Sequence, residues 1–230
     1  MLEVSRTENK ILLNQKEFMI LKYKISQILP RDKFCKSDEG YEIRSLYFDT
    51  LSDRCCQEKE DGLRRHEKIR VRIYGTDDTV IKLESKKKDG IHQIKKSLLI
   101  SRETLDNICH GKYSDLLNYE DKMGIYFYEK LSEGMRPKNI IQYKRLSYCI
   151  KTNNTRITFD YNIRATESCF DIFQDPLQAH PITSGDVVIM EVKFNGFLLD
   201  YIKDTLRCVE AMPTSFSKYF MGRTFYRYMI

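Results

Sequence analysis

The chain has 230 residues, 39 of them basic and 33 acidic, giving a formal charge of +6 and a pI near 8.8. A hydrophobic share of 41% supplies a core and excludes a disordered chain. The mild basicity falls short of a DNA-coating protein and speaks to partners and solubility, never to fold. No apolar run approaches the roughly 20 residues of a membrane helix, and MLEVSRTENK lacks the apolar centre of a secretory signal. Seven cysteines without metal-ligand spacing fit reduced thiols. The expectation is one cytoplasmic, soluble domain over residues 1–230.

In chain order, residues 3–13 end in the apolar ILL and predict a first strand. Asn14 followed by Glu17 predicts a capped helix, with Phe18, Leu21, Ile25, Ile28 and Leu29 on one side and Pro30 ending it. YEIRSLYFDT predicts a strand with Ile43, Ser45, Tyr47 and Asp49 on one face, followed by a polar loop or helix over 51–66. KIRVRIY and IKLESK form a hairpin around Gly75 and Asp77-Asp78, and a turn over Lys87 to Gly90 leads into IHQIKKSLLI. Ser101 caps a short helix, and residues 115–134 read as another. After Pro137 come strands IIQYKRLSYCI and TRITFDYNIRA, parted by a turn at Lys151 to Asn154, and then VVIMEVKF. Helices at about 197–210 and from about 215, capped by Ser215, close the chain. Strands close in sequence with helices between or after them indicate α+β with a mainly antiparallel sheet.

Side chains alternate faces along a strand, so charges at every second position share one face. Five such sets occur: Arg6, Glu8 and Lys10; Lys68, Arg70 and Arg72; Lys82, Glu84 and Lys86; Arg156, Thr158 and Asp160; Glu191 and Lys193. Lys95 and Arg145 add single charges on two further strands. One charged strand face is ordinarily just wet. Repeated over many strands, the pattern suggests a surface built for a polyanion, because gathered cations need water or counter-anions. Arg offers a planar fork to phosphate oxygens and Lys a point charge. Glu191 beside Lys193 suits Mg²⁺ or Mn²⁺ shared with phosphate. The histidines (His66, His92, His110 and His180) have no recognisable catalytic partner.

At RTENK, SLYFDT, KIRVRIYG, KLESKKKDG with the following IKK, QYKRLSY, TRITFD, MEVKF and SFSKY, the sequence resembles the triphosphate tunnel metalloenzymes. Within them it is similar to the VTC-type polyphosphate polymerase domain. The resemblance spans nearly the whole chain. It implies a closed antiparallel β-barrel of about eight strands, a tunnel flanked by helices and lined by Lys and Arg, and a divalent metal at a Glu. Carried over position by position, Arg70, Arg72, Arg145, Arg156 and Glu191 would be catalytic, with Glu191 also the metal ligand. Lys10, Lys86, Lys95, Lys193 and Lys218 would bind ATP and polyphosphate. Lys68 and Lys82 share the right faces but match less closely. Hydrolytic and cyclising relatives open with Glu-x-Glu-x-Lys; here Arg6 replaces the first acid, which matches the polymerase branch. The regulatory and membrane segments of eukaryotic members have no counterpart, leaving any exporting membrane protein a separate partner.

The implied activity is metal-dependent transfer of the ATP γ-phosphoryl group to a polyphosphate end, releasing ADP. Hydrolysis of triphosphate or short polyphosphate on the same scaffold is the near alternative. A non-catalytic polyphosphate or nucleic-acid binder is the other, with Tyr23, Tyr47, Tyr74, Tyr143 and Tyr161 as stacking groups. No nucleic-acid partner is expected.

Overall fold

The structure, a computed structural model, describes residues 6–90, 92–120, 122–210 and 212–225. The side chains of Arg6 and His92 and the last five residues of the C-terminal segment lie outside the described residues. Ten strands and six α-helices follow one another among the described residues. The strand pairings that have a defined register are all antiparallel. No helix is long and apolar enough to cross a membrane. The chain forms two compact units, each assembled from three separate segments.

The first unit takes residues 1–42, 143–163 and 183–216. It holds β1 (Arg6–Leu13), α1 (Gln15–Ile28), β9 (Val188–Asn195), α5 (Asp200–Leu206) and the short β10 (Met212–Pro213). It also takes one end of β6 (Arg136–Ile150) and most of β7 (Thr155–Thr166). Asn14 caps α1 by accepting from the Glu17 amide, while the Glu17 carboxylate accepts from the Asn14 amide. Phe18, Leu21 and Ile25 then face Ile157, Phe159, Met190 and Val192, with Leu198 and Ile202 completing the core. One face of these strands is consumed by helix packing. The alternate residues are left to the other face.

The second unit takes residues 43–142, 164–182 and 217–230. It contains β2 (Tyr41–Asp49, from Ile43), α2 (Arg54–Glu60), β3 (Arg65–Tyr74), β4 (Asp77–Asp89), β5 (His92–Ile100), α3 (Arg102–Cys109) and α4 (Lys122–Ser132). The short β8 (His180–Pro181), on the end of β7, and α6 (Lys218–Thr224) complete it. Leu46, Val71, Leu83, Ile81 and Ile69 are fully buried on the apolar face of its strands.

The strand order is β10-β1-β9-β7-β6-β2-β3-β4-β5, with β8 on β7. This is a large antiparallel sheet with helices, as the α+β expectation required. Among the described residues, no pairing closes that sheet into a barrel.

Several boundaries differ from expectation for local reasons. β4 continues through the lysines to Asp89, so the turn begins only at Gly90, whose φ of +61° suits glycine. The helix expected over 115–134 is two pieces, a 3-10 turn at Ser114–Asn118 and α4. β6 starts at Arg136 and so includes Pro137. The last helix is capped by Ser217, which accepts from the Phe220 amide, rather than by Ser215.

Candidate polyanion site

In the first unit, register decides which side chains meet. Lys10 lies opposite Glu191 and Glu8 opposite Lys193 across β1 and β9, while Arg156 lies opposite Lys193 and Thr158 opposite Glu191 across β9 and β7. Paired residues in antiparallel strands share a face. The charged sets of β1, β9 and β7 therefore coincide on the face away from α1.

Lys193 Nζ lies 2.8 Å from Glu191 Oε2 and 3.8 Å from Glu8 Oε2. Lys10 Nζ lies 3.8 Å from Glu191 Oε1 and 3.9 Å from Glu8 Oε1, and donates to the Phe216 carbonyl at 3.0 Å. Arg145 grips Asp160 with Nε at 2.6 Å and Nη2 at 2.7 Å, and reaches toward Glu191 at 3.9 Å. Burial opposes the Arg145 charge, but the Asp160 carboxylate outweighs it and holds the guanidinium firmly protonated. Arg156 pairs with Asp32 at 2.8 Å and donates to Ser147 Oγ at 3.1 Å. Gly40 explains how the chain closes on Arg145: its φ is +74°, and a Cβ there would lie 2.1 Å from the Arg145 carbonyl oxygen.

These four cations thus meet four carboxylates, Glu8, Asp32, Asp160 and Glu191. Among the described side chains, Lys10, Arg145, Arg156 and Lys193 are each set against the protein's own acids. Glu8 and Glu191 stand within reach of the same two ammoniums, and such a carboxylate pair fits a divalent cation completed by phosphate oxygens. Among the described residues no three His, Cys, Asp or Glu side chains form a metal cage by themselves.

The second unit differs. Lys68 is paired with Lys86 across β3 and β4, and Lys86 with Lys95 across β4 and β5, so three lysines form one cross-strand row. The next row is Tyr47, Arg70, Glu84 and Ser97, and the next is Ser45, Arg72, Lys82 and Leu99. Like charges directly opposite one another destabilise a sheet. These three rows bring together Lys68, Lys86, Lys95, Arg70, Arg72 and Lys82, with the Glu84 carboxylate among them.

Glu84 is buried and accepts from Arg70 Nε at 2.9 Å, with Arg70 Nη2 at 2.8 Å, Lys95 at 2.5 Å and Arg72 at 3.9 Å. Burial alone would raise its pKa, but Arg70, Arg72 and Lys95 bring it down to about 2. The third Arg70 nitrogen, Nη1, donates to the Tyr47 hydroxyl at 3.0 Å. Arg72 Nε donates to Ser45 Oγ at 3.3 Å. Lys218 opens α6, and Ser217 just before it accepts from Lys68 at 2.8 Å.

α6 is held to β2 by Asp49. This fully buried carboxylate accepts from the amides of Thr50, Cys55 and Cys56 and from the Tyr219 hydroxyl at 2.5 Å. Burial and the Asp49 charge push the Tyr219 phenol far above its ordinary range.

The expected residues therefore fall into two groups: Lys10, Arg145, Arg156, Glu191 and Lys193 in the first unit, and Arg70, Arg72, Lys86, Lys95 and Lys218 in the second. Lys68, a weaker match by sequence, completes the lysine row. Asp32, Tyr47, Asp49 and Ser217 were not singled out as site residues. Period two in YEIRSLYFD signals Tyr47 and Asp49 beside Ser45, whereas Asp32 follows Pro30 in a loop and carries no signal. It reaches Arg156 because its amide donates to the Ser147 carbonyl at 2.8 Å.

Of the tyrosines considered for base stacking, Tyr47 and Tyr143 are buried, Tyr161 donates to the Glu39 carbonyl, and Tyr23 is exposed on α1. His66 and His110 contact nearby backbone carbonyls at Leu63 and Asp106.

By fold the chain is similar to the solved structure of a candidate adenylate cyclase from Bacillus halodurans, at 12% identity and a TM-score of 0.51, covering 92% of this chain and 95% of that one. A second solved structure, the PH1819 protein of Pyrococcus horikoshii, matches at 14% identity and a TM-score of 0.39, covering 89% and 86%. No curated protein matches. The VTC domain model matches residues 5–226, and the chain belongs to the VTC domain family.

Proposed function

We propose that this protein is a polyphosphate polymerase that transfers the ATP γ-phosphoryl group to the end of an inorganic polyphosphate chain. The observation that carries this reading is the row Lys68, Lys86 and Lys95 set directly beside Arg70 and Arg72, which meet on Glu84. Like charges facing one another across strands weaken a sheet, and an anion with several charges lying over such a row offsets that repulsion. Membership of the VTC family supports phosphate chemistry on such a face. The closed tunnel that the resemblance implies belongs to the same proposal.

In this reading a terminal phosphate oxygen of the acceptor attacks the γ-phosphorus. The new P–O bond forms as the bond to the β,γ-bridging oxygen breaks, and ADP leaves. The attacking oxygen is already anionic, so no strong general base is needed; positioning and charge stabilisation suffice. Arg70, Arg72, Arg145 and Arg156 neutralise charge on the transferred group, and Lys10, Lys86, Lys95, Lys193 and Lys218 align the two phosphate chains. Glu191, with Glu8 beside it, would hold Mn²⁺ or Mg²⁺, which supplies charge neutralisation on the phosphates when bound.

Incubation with ATP and Mn²⁺ is expected to yield ADP and long phosphate chains, visible by ³¹P NMR. Arg70→Ala and Glu191→Ala should each lower synthesis about 100-fold or more. Free phosphate as sole product would replace the polymerase by a triphosphatase. Undiminished synthesis in both variants would remove the site assignment.

A further inference from the structure

Tyr47 stands at the centre of the cation-rich face yet has no place in the transfer step above. Its side chain is buried, with only 7% of the residue exposed, and it is the cross-strand partner of Arg70. The groups around it are strongly biased in sign. Arg70 donates to its hydroxyl at 3.0 Å and lies 5.8 Å from its ring. Arg72 comes from the same strand, and Lys218 acts on it from α6. The Tyr219 ring stacks on it at 5.1 Å. The acids nearby are already committed: Glu84 to Arg70, Arg72 and Lys95, and Asp49 to three backbone amides and Tyr219.

We propose that Tyr47 is a positioning residue for Arg70 whose ionisation sets the alkaline limit of phosphate binding on this face. The neutral phenol fixes the Nη1 edge of Arg70 through one accepted hydrogen bond and adds no charge. Arg70, Arg72 and Lys95 meet on Glu84 directly beside it. A phenolate at Tyr47 adds a further negative charge to that cluster, against the Arg70 fork. Burial opposes this ionisation, but Arg70, Arg72 and Lys218 outweigh it and bring the phenol down to about 8. Tyr113, Tyr126, Tyr148, Tyr161 and Tyr219 are by contrast shifted upward. An early phenolate signal is assigned by its loss in Tyr47→Phe.

The inference rests on reading this face as a phosphate site, and its test separates the two ideas. Absorbance at the phenolate band is followed against pH for the whole protein, with and without inorganic tripolyphosphate, and for Tyr47→Phe. One tyrosine should titrate near pH 8 in the parent and vanish in Tyr47→Phe. Tripolyphosphate affinity should fall about tenfold more between neutral and alkaline pH in the parent than in Tyr47→Phe, as expected for one charge at contact distance. Binding and titration are reciprocal, so saturating tripolyphosphate should raise that midpoint by about one unit in the parent alone, a readout independent of the variant's folding. Absence of any tyrosine titrating below the ordinary range overturns the inference. So does an equal loss of affinity in parent and variant. Failure of tripolyphosphate to bind at any pH instead brings down the functional reading, while the absorbance titration still decides the ionisation of Tyr47.

Discussion

Glu84 shows how much one residue carries. Its carboxylate lies among Arg70, Arg72 and Lys95 and is almost wholly removed from water. Removing one partner of a buried ionic cluster leaves the others uncompensated, which is worse than losing the pair together. Glu84→Gln should therefore destabilise the protein by about 3 kcal/mol at neutral pH, measured by urea unfolding. The sign of the pH dependence follows from the depressed folded-state value. The contribution is complete above the unfolded carboxyl pKa and disappears as pH falls through about 2. Parent and variant stabilities should therefore converge under strong acid. A gap that stays constant down to that pH would show that Glu84 acts through packing, not charge.

At the scale of elements, α6 is a short helix tied down from outside by Tyr219 on Asp49 and by Arg223 on Asp53 and Glu167. Tyr219 donates to Asp49, a carboxylate otherwise satisfied by amides at the start of α2. Tyr219→Phe keeps a ring against Tyr47 but removes that bond to a charged acceptor, and should cost about 2 kcal/mol in urea unfolding. No loss of stability would place the anchoring of α6 elsewhere. Which elements could be read from sequence follows from the range of the forces that set them. β3 and β4 were legible because Ile69, Val71 and Ile73 alternate with charged residues, and α1 because Asn14 and Glu17 cap it locally. β8 and β10 are two residues each and exist only through pairing with distant strands, so no local signal marks them. The split before α4 is likewise set by tertiary packing: a Cβ at Gly124 would lie 2.2 Å from the Leu116 carbonyl oxygen, so the two pieces approach backbone to backbone. For the candidate site, strand parity gave the charged faces. It could not give the balance within them, because Asp32 and Ser147 reach Arg156 through a loop-to-strand contact.

At the scale of the molecule, the net charge of +6 conceals an uneven distribution. Lys10, Arg145, Arg156 and Lys193 of the first unit each stand against an acid. In the second unit lysines face lysines across three strands, and Arg70, Arg72 and Lys95 converge on Glu84. Raising ionic strength from about 0.1 M to about 1 M shortens the screening length from ~10 Å to ~3 Å. Tripolyphosphate affinity, measured by calorimetry, should fall steeply over that range, and Lys86→Gln should flatten the dependence more than Lys193→Gln. Equal slopes for the two variants would mean that the lysine row does not govern binding. The lysine row has one more consequence. Its members come from successive strands, so their spacing is the constant interval between neighbours in a sheet, about 4.8 Å. In the proposed reading, a uniform polymer laid across evenly pitched ammoniums would meet a similar contact after each small advance, and so would slip lengthwise more readily than sideways.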